Sequence, residues 1–341
     1  DGQVATNEYV APGSLDTKSF RWENDVVTQL GHLAGENTMP RAFNEVGQVA
    51  GDSYTAQAEW HAFLWTPGAG MQDLGTLDGT QSKAVAVNDS GWVVGESRTA
   101  DGDTHAFLWT PSGGMTDLGT LGGSDSAAYD INESGQVAGR SSIRRDAERH
   151  AFLWTPDGGM LDLGTLGSGS TRSSATRVNN HGQVVGTCWL ATGESRAFVW
   201  TPFTGMLDLG TLDGGQNSVA DAVDINEYGQ VVGWSETSTG ERGAVLWTIF
   251  LTPAEQVRSM ISTITDLVDA GVLKAGSANA LTQKLDNAAT QLDEGKTRPA
   301  CGQLQAFVNQ VEAATNAGHL PSDLGADLIA TASTIIDQVC E

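Results

Sequence analysis

Short stretches in which apolar and polar residues alternate fill the first 248 residues of the chain, and a turn containing glycine follows most of them. Such period-two stretches, bounded by Gly, Pro, Asn and Ser, are typical of β-strands joined by tight turns. The unit that ends at Leu121 contains four of them: Ala84–Asn88, Trp92–Ser97, His105–Thr110 and Met115–Leu121. This pattern predicts a four-stranded antiparallel unit.

The four-stranded unit is repeated along the chain. The phrase HAFLWTPGAGMQDLGTL at 61–77 returns with few changes at 105–121, 150–166 and 196–212. The tryptophan of the F-x-W strand recurs every 43 to 47 residues, at Trp22, Trp65, Trp109, Trp154, Trp200 and Trp247. Four short strands repeated at this length are typical of a β-propeller blade. We therefore expect a mainly β fold in which residues 1–250 form a closed six-bladed β-propeller of four-stranded repeats.

A count of the strands shows that the first and last units are incomplete. The G-[QW]-V and F-x-W strands each occur six times, whereas the D-L-G-T-L and A-x-x-[IV]-N strands each occur five times. The total of 22 is two short of six complete blades, because the first unit starts at its second strand and the last passes from Trp247 into Thr252-Pro253. An incomplete blade leaves a backbone edge that pairs readily with another strand. We expect an upstream segment or a neighbouring subunit to cover this edge.

Sequence variation distinguishes the two faces of such a propeller. The first and third connections of each blade share one face and are uniform turns, N-[DEN]-x-G and T-P-x-x-G. The second connections and the links between blades share the other, which we call the variable-loop face. The variable segments are Arg140–Arg149, Thr187–Arg196, Ser235–Arg242, Asp78–Lys83, Gly122–Ser126, Gly167–Ser174 and Asp213–Ser218. Binding residues concentrate in variable loops on a rigid scaffold. We predict that a ligand or partner binds this face through Gln81, Asp125, Arg144, Arg145, Trp189 and Asn217.

The pattern changes after Trp247, where apolar residues begin to recur at helical spacing. Thr252-Pro253-Ala254-Glu255 has the composition of a helix start, with Thr as the N-cap, Pro at the first position and Glu completing a capping box. Four apolar helical stripes follow, and the first three end at Gly271, Gly295 and Gly318. We predict a C-terminal α domain, a four-helix bundle, over residues 251–341.

Two of the three cysteines lie in the predicted bundle. Cys301 starts its third helix and Cys340 ends its fourth, and antiparallel neighbouring helices bring those two ends together. We therefore predict a Cys301–Cys340 disulfide, which indicates an oxidising, extracellular compartment. Cys188 is left without a predicted partner.

The chain is strongly acidic, with 18 Lys and Arg residues against 42 Asp and Glu residues and a net charge of −24. A surface of this charge repels nucleic acid and anionic membranes, so we exclude both as partners. The sequence contains no run of eighteen or more apolar residues, and we therefore expect no membrane insertion. The acidity fits either a soluble secreted protein or a surface that recruits cations.

Two parts of the chain resemble known families. The motifs H-A-F-L-W-T-P, D-L-G-T-L and I-N-x-x-G-Q-V-V-G in residues 1–248 resemble the HAF-repeat family of extracellular bacterial proteins. The stretch Cys301–Val311, CGQLQAFVNQV, is similar to the FIMAH domain, and that resemblance extends over roughly 253–341. Together they imply secretion and an accessory, modular role. Neither family supplies catalytic residues.

We find no motif for catalysis or metal binding. The sequence has no G-x-S-x-G, no H-E-x-x-H and no phosphate-binding glycine loop. His61, His105 and His150 begin equivalent strands of three blades, which favours a structural hydrogen bond over a shared metal. Asp101-Gly102-Asp103 has only part of the ligand spacing of a calcium-binding loop and fits the tip of a β-hairpin better. The basic cluster of Arg144, Arg145 and Arg149 is either a solvated hairpin or a contact for an acidic partner.

We therefore predict a secreted, non-catalytic binding or assembly module that needs no cofactor or metal. In this interpretation the partner is another protein or a second copy of the chain, and an extracellular oligomer or filament forms through the incomplete blade. The alternative is an extracellular carbohydrate-binding protein accessory to a hydrolase, in which aromatic residues outside the repeat pattern, such as Trp60 and Trp189, stack on a sugar. A third class, an enzyme, is tested by screening for hydrolysis of polysaccharides and esters.

Overall fold

The computed structural model describes residues 4–9, 17–23, 26–35, 37–144, 148–167, 169–202, 204–212, 214, 219–249, 252–269 and 271–340. The chain divides into two compact units, Asp1–Thr248 and Ile249–Glu341. The first unit contains the strands and the second contains the helices.

The first unit contains six antiparallel sheets, which we number in chain order. Sheet 1 consists of β1 (Val4–Tyr9), β2 (Thr17–Glu23) and β3 (Val26–Gln29). Sheet 2 consists of β4 (Thr38–Phe43), β5 (Val49–Tyr54), β6 (Trp60–Thr66) and β7 (Gly70–Asp73). Sheet 3 consists of β8 (Asp78–Val87), β9 (Val93–Thr99), β10 (Thr104–Thr110) and β11 (Gly114–Asp117).

Sheets 4 to 6 follow the same order of strands. Sheet 4 consists of β12 (Gly122–Ile131), β13 (Val137–Ile143), β14 (Arg149–Thr155) and β15 (Gly159–Gly164). Sheet 5 consists of β16 (Ser170–Val178), β17 (Val184–Leu190), β18 (Ser195–Thr201) and β19 (Gly205–Asp208). Sheet 6 consists of β20 (Ala220–Ile225), β21 (Gln230–Glu236) and β22 (Arg242–Thr248).

Every sheet is a meander in which consecutive strands are neighbours. Four sheets have four strands and the two end sheets have three, so the described residues form 22 strands, as the sequence predicts. Four-stranded antiparallel meanders of this kind resemble the blades of a β-propeller. The arrangement of the six sheets as a closed ring stays a prediction.

Several segments that the sequence assigns to variable loops are strands instead. β8 starts at Asp78 and β12 at Gly122, because these residues pair with Thr99 and Ile143 at the far ends of the neighbouring strands. β13 likewise extends through Arg140 to Ile143. Residues predicted to be loops are therefore held on a rigid sheet.

Apolar side chains fill the space between consecutive sheets. Between sheets 2 and 3, Ala62 and Leu64 pack against Val93, Phe107 and Trp109. Equivalent clusters lie between sheets 3 and 4 and between sheets 4 and 5. The central phenylalanine of each cluster is fully buried, and truncation of such a side chain typically costs about 3–5 kcal/mol. The recurrent F-x-W strand therefore builds the core between repeats.

A recurrent asparagine joins each of sheets 2 to 5 to the sheet that follows it, on the face of the uniform turns. Asn44 Nδ2 donates to Asn88 O over 2.8 Å, and Asn88 Nδ2 donates to Asn132 O over 3.1 Å. The series continues from Asn132 to Asn179 O and from Asn179 to Asn226 O. The turn closes with a glycine in the left-handed region, such as Gly91 with φ 73°. The N-x-x-G motif thus sets the spacing of the sheets.

The second glycine of the repeat, which ends the sequence G-Q-V-A-G, allows two strands to approach closely. A Cβ atom at Gly139 would lie 2.1 Å from Ala127 O and 2.7 Å from Phe152 Cζ. The register of β12 against β13 shifts at this point, between Ala128 and Asp130. Only glycine fits there, because any side chain would collide with the neighbouring backbone.

The two end sheets keep apolar faces exposed. Val232 is 47% and Leu246 58% exposed in sheet 6, whereas Leu153 and Val199, at positions equivalent to Leu246 in sheets 4 and 5, are 4% and 2% exposed. In sheet 1, Val27 is 61% exposed. Among the described residues β22 pairs with β21 alone, so its other edge carries unpaired backbone groups.

The second unit contains four helices around one apolar core. They are α1 (Pro253–Asp269), α2 (Ala275–Asp293), α3 (Thr297–Asn316) and α4 (Ser322–Val339). The capping box is confirmed, since Thr252 N donates to Glu255 Oε2 over 2.7 Å and Glu255 N donates to Thr252 Oγ1 over 3.3 Å. No described helix is long and apolar enough to cross a membrane.

The cysteines of the helical unit are bonded, as the sequence predicts. Cys301 and Cys340 form a disulfide with a Cα–Cα distance of 6.1 Å, which joins the first turn of α3 to the end of α4. Cys188 is free and buried in sheet 5. Its Sγ accepts a hydrogen bond from Leu166 N over 3.4 Å, where Ser141 Oγ accepts one from Leu121 N over 2.8 Å in the preceding repeat. Cys188 therefore takes the place of a structural serine.

Candidate functional site

Pockets recur at equivalent places between consecutive sheets, at the end of each sheet that carries the second connections. Sheets 2 and 3, sheets 3 and 4, and sheets 4 and 5 each enclose one. Each contains the residue that precedes the recurrent serine of the first strand, namely Gln81, Asp125 and Arg172 in turn. The repeat thus produces one pocket at each of these three boundaries, on the variable-loop face.

The pocket between sheets 2 and 3 is the largest of these, with a volume of about 390 Å³. Two of its three cations are paired, because Arg41 forms an ion pair with Asp52 and Lys83 Nζ lies 3.6 Å from Glu96 Oε1, while Arg98 donates to Gly102 O. Burial raises the pKa of Asp52, and the hydrogen bond from Arg41 opposes that shift. Trp60, on the rim, stacks on the ring of Tyr54 with 4.1 Å between centroids. This pocket is polar and nearly neutral.

The pocket between sheets 3 and 4 has a volume of about 180 Å³ and brings both charges together. Glu96 and Asp125 line it with Arg140 and Arg149, and Arg149 Nη2 lies 3.9 Å from Asp125 Oδ2. Ser142 is 1% exposed, and its Oγ has no hydrogen-bond partner among the described residues. A buried hydroxyl without a partner is costly, so this position favours an additional polar group.

The pocket between sheets 4 and 5 has a volume of about 160 Å³ and is basic. Arg140 and Arg149 line it as well, and Arg172 and Trp189 come from sheet 5. The Arg172 guanidinium lies 5.3 Å from the centre of the Trp189 ring, and that of Arg140 lies 5.6 Å from the ring of Tyr129. Both guanidinium groups contact aromatic faces. From sheet 2 to sheet 5 the pockets therefore change from neutral to basic.

A separate cavity of about 490 Å³ is lined by the first strands of sheets 2 to 5. Asp130 and Arg177 occupy equivalent positions in this lining, and Arg177 Nε lies 3.6 Å from Asp224 Oδ1. Burial raises the pKa of Asp130 to about 6, although Val178 N donates to its Oδ2 over 2.9 Å. At neutral pH this carboxyl group is mostly ionised, but weakly acidic conditions protonate it.

The structure brings half of the predicted binding residues into the pockets. Gln81, Asp125 and Trp189 line the first, second and third pocket respectively. Arg144 is exposed directly after β13 and lines none of the three. Arg145 and Asn217 lie outside the described residues. Binding at all six positions stays a prediction.

Arg140 and Arg172 were not singled out by the sequence, although both line the basic pocket. They lie 32 positions apart in different repeats, in segments assigned to loops. An alignment of the repeats would have placed Arg172 at the position of Gln81 and Asp125. The pocket between them depends on how adjacent sheets pack, which a pattern within one repeat does not specify.

The recurrent histidines form structural pairs within their own sheets. His61, His105 and His150 place Nδ1 3.0, 2.8 and 2.9 Å from the carboxylate of the aspartate twelve residues later. In the first pair the same Asp73 carboxylate accepts a hydrogen bond from Gly75 N, which fixes the D-L-G turn. Across the described part of the chain, no group of three or more His, Cys, Asp or Glu side chains is arranged to hold a metal ion.

Comparison with known families identifies the helical unit. The family model of the FIMAH domain matches residues 257–337, which confirms that resemblance for this part of the chain. No curated protein matches the chain. The resemblance of residues 1–248 to the HAF-repeat family stays a prediction.

Several solved β-propeller structures align with the chain at low identity. TolB from Acinetobacter baumannii aligns with a TM-score of 0.45 and 13% identity over 72% of this chain, and the match covers 64%, or less than two thirds, of TolB. The β-propeller domain of the trilobed protease from Pyrococcus furiosus has a TM-score of 0.37 and 11% identity, covering 72% of this chain and 91% of that one. A fucose-specific lectin from Aleuria aurantia has a TM-score of 0.33 and 13% identity, covering 73% and 93% respectively.

Proposed function

We propose that this chain is a secreted, non-catalytic binding and assembly module, built from six propeller-type blades and a FIMAH-type helical bundle. The observation that carries the proposal is the open end of the repeat array. Sheet 6 has three strands, and Val232 and Leu246 on its face are 47% and 58% exposed. Inside the array, the equivalent face of each sheet is covered by the next sheet. A second copy of the chain, joined through this face and the free edge of β22, would bury the apolar side chains and pair the backbone.

The mass of the particle in solution tests assembly. Light scattering after size exclusion should give a multiple of the chain mass, and Leu246→Arg should reduce it to that of a single chain. Leu161→Arg is the matched control, because Leu161 is 52% exposed in sheet 4, away from the open end. A single-chain particle in which the β22 amides that do not pair with β21 exchange with solvent as fast as those of an unfolded peptide would contradict the proposal.

The disulfide supports the extracellular part of the proposal, because such bonds persist in oxidising compartments. The protein is isolated from its native source under non-reducing conditions, its free thiols are alkylated on lysis, and it is then denatured. We expect one modified cysteine, Cys188. Modification of Cys301 and Cys340 as well would place the protein in a reducing compartment.

The alternative function is carbohydrate binding accessory to a hydrolase. Its support is the series of three pockets at a regular spacing on one face, one with Trp60 on its rim and another lined by Trp189. Equivalent pockets along one face suit a polymer of repeated units, and an aromatic ring suits the apolar face of a sugar. A glycan array tests this alternative, with Trp189→Leu as the variant and Trp92→Leu, away from the three pockets, as the control.

A further inference from the structure

The basic pocket between sheets 4 and 5 is unusual for so acidic a chain. Three of the 18 basic residues of the sequence, Arg140, Arg149 and Arg172, line one pocket of about 160 Å³. Like charges on neighbouring side chains repel one another, and solvent weakens that repulsion in part because Arg149 and Arg172 are exposed. A stable fold offsets such repulsion with counter-charges of its own or leaves room for a bound anion.

The chain supplies part of that counter-charge, through Glu96 and Asp125 in the neighbouring pocket. Asp125 lies 3.9 Å from Arg149 and on the opposite side of it, in the neighbouring pocket. Within the described ranges, Arg140 and Arg172 form no ion pair, and their closest interactions are with the rings of Tyr129 and Trp189. In the pocket between sheets 2 and 3, by contrast, ion pairs to Asp52 and Glu96 occupy two of the three cations, Arg41 and Lys83.

A second polar group beside the arginines also lacks a partner. Ser142 pairs with Arg149 across strands β13 and β14, is 1% exposed, and has an Oγ atom without a hydrogen bond among the described residues. It lines the pocket between sheets 3 and 4, which shares Arg140 and Arg149 with the basic pocket. Three arginine side chains thus line the two adjacent pockets, and the buried Ser142 hydroxyl lies beside them.

We propose that the boundary of sheets 4 and 5 binds an acidic sugar, with Arg140, Arg149 and Arg172 holding its carboxylate or sulfate group and Trp189 contacting its ring. Planar guanidinium groups bind carboxylate and sulfate oxygens through paired hydrogen bonds. The pocket is small enough for one such group, and the equivalent pockets on the same face would contact neighbouring units of the polymer. This inference rests on the carbohydrate-binding alternative described above and assigns its ligand class.

Calorimetric titration with matched pairs of polymers tests the proposal. Polygalacturonate and its fully methyl-esterified form differ in the free carboxylate, and dextran sulfate and dextran differ in the sulfate. We expect the full chain to bind one or both charged members at least about tenfold more tightly than the neutral partner at about 0.15 M salt, where the repulsion between the polymer and the net charge of −24 is largely screened. The charged member that binds more tightly identifies the acidic group. Poly-glutamate provides the same charge without a sugar.

Variants locate the site. Arg172→Gln and Arg140→Gln should each weaken binding of the charged polymer about tenfold or more. Arg298→Gln should change it less than about twofold, because Arg298 is exposed in α3 and lines none of the pockets between the sheets. Trp189→Leu should weaken binding of the sugar polymer and leave that of poly-glutamate unchanged. Unaltered thermal unfolding of each variant shows that the fold is intact, and Arg172→Lys, which keeps the charge, provides a second test if Arg172→Gln is unstable.

Each of the other possible outcomes refutes a specific part of the proposal. Tight binding of neutral polymers alone keeps the carbohydrate function and refutes the acidic ligand. Equal losses in Arg172→Gln and Arg298→Gln show general electrostatic attraction rather than binding in this pocket. Poly-glutamate binding that equals that of the glycans and ignores Trp189→Leu indicates an acidic peptide, which refutes the sugar. Binding of none of the polymers refutes this inference, and a glycan array without any hit refutes the carbohydrate alternative as well.

Discussion

At the scale of single residues, burial changes the acidity of the Asp130 side chain. Burial raises the pKa of this carboxyl group to about 6, and Asp224 adds to the shift, while Val178 N and Arg177 oppose it. The pKa in the unfolded chain is near 4. Because folding therefore favours the protonated acid, its stabilising contribution is complete below about pH 4 and is lost as the pH rises through 6.

We predict that Asp130→Asn removes this pH dependence. The amide does not ionise, and its oxygen still accepts the hydrogen bond from Val178 N. Relative to the native chain, the free energy of unfolding should be about 1–2 kcal/mol higher at pH 8 and about equal at pH 4. Urea denaturation at both pH values measures the difference, with Asp157→Asn in an exposed turn as the control. The same difference at both pH values would contradict the assignment.

Cys188 gives a second prediction at the residue scale. Its sulfur is a weak acceptor for Leu166 N over 3.4 Å, whereas Ser141 Oγ accepts from Leu121 N over 2.8 Å. Cys188→Ser should restore the stronger hydrogen bond and keep or raise the free energy of unfolding by about 0.5–1 kcal/mol. Cys188→Ala should lower it by about 1 kcal/mol or more, because Leu166 N loses its partner. Tryptophan fluorescence during denaturation measures both, and a serine variant less stable than the alanine variant would refute the substitution argument.

At the scale of strands and helices, most of the architecture could be predicted from the sequence. Alternation and repeats give the 22 described strands, and the capping box at Thr252 and the glycines after α1, α2 and α3 give the helix ends. These signals are local, because each depends on residues within one turn or one strand. The predicted strand lengths were less accurate, because β8 starts at Asp78 only through the pairing of that residue with Thr99 in the neighbouring strand.

The second glycine of the repeat leads to a prediction at this scale. Gly139→Ala would place a methyl group 2.1 Å from Ala127 O and 2.7 Å from Phe152 Cζ, so either strand β12 or the buried ring has to move. We expect a loss of about 2–4 kcal/mol in the free energy of unfolding. Gly169→Ala, which adds a Cβ with no atom within 4 Å, should change it by less than about 0.5 kcal/mol. Equal effects of the two substitutions, measured by urea denaturation, would show that the close approach is not rigid.

The candidate site could be predicted only in part. Gln81, Asp125 and Trp189, which the sequence assigns to the variable-loop face, line successive pockets, and binding there stays a prediction. Arg140 and Arg172 were missed, because they meet only when sheets 4 and 5 pack together. Residues of one repeat form no pocket alone, so the composition of a pocket is a property of two adjacent repeats.

At the scale of the whole molecule, the chain consists of two units with separate cores. The sheets enclose their apolar clusters within Asp1–Thr248, and the helices enclose one of their own within Ile249–Glu341. All ten tryptophans of the sequence lie before residue 249, and the disulfide lies in the helical unit. Tryptophan fluorescence therefore reports unfolding of the sheets, while circular dichroism at 222 nm is dominated by the helices.

This separation predicts that reduction of the disulfide destabilises one unit alone. Cys301 and Cys340 are 39 residues apart, and a closed loop of that size stabilises a fold by about 2–4 kcal/mol, mainly by restricting the unfolded chain. With a reductant, or in a Cys301→Ala, Cys340→Ala double variant, the midpoint of thermal unfolding followed at 222 nm should fall by about 10–20 °C. The midpoint followed by tryptophan fluorescence should stay unchanged, because Cys188 is free and forms no bond to reduce. Cys188→Ser in the presence of reductant is the control for effects on that thiol. If both midpoints fall together, the two units unfold as one cooperative structure.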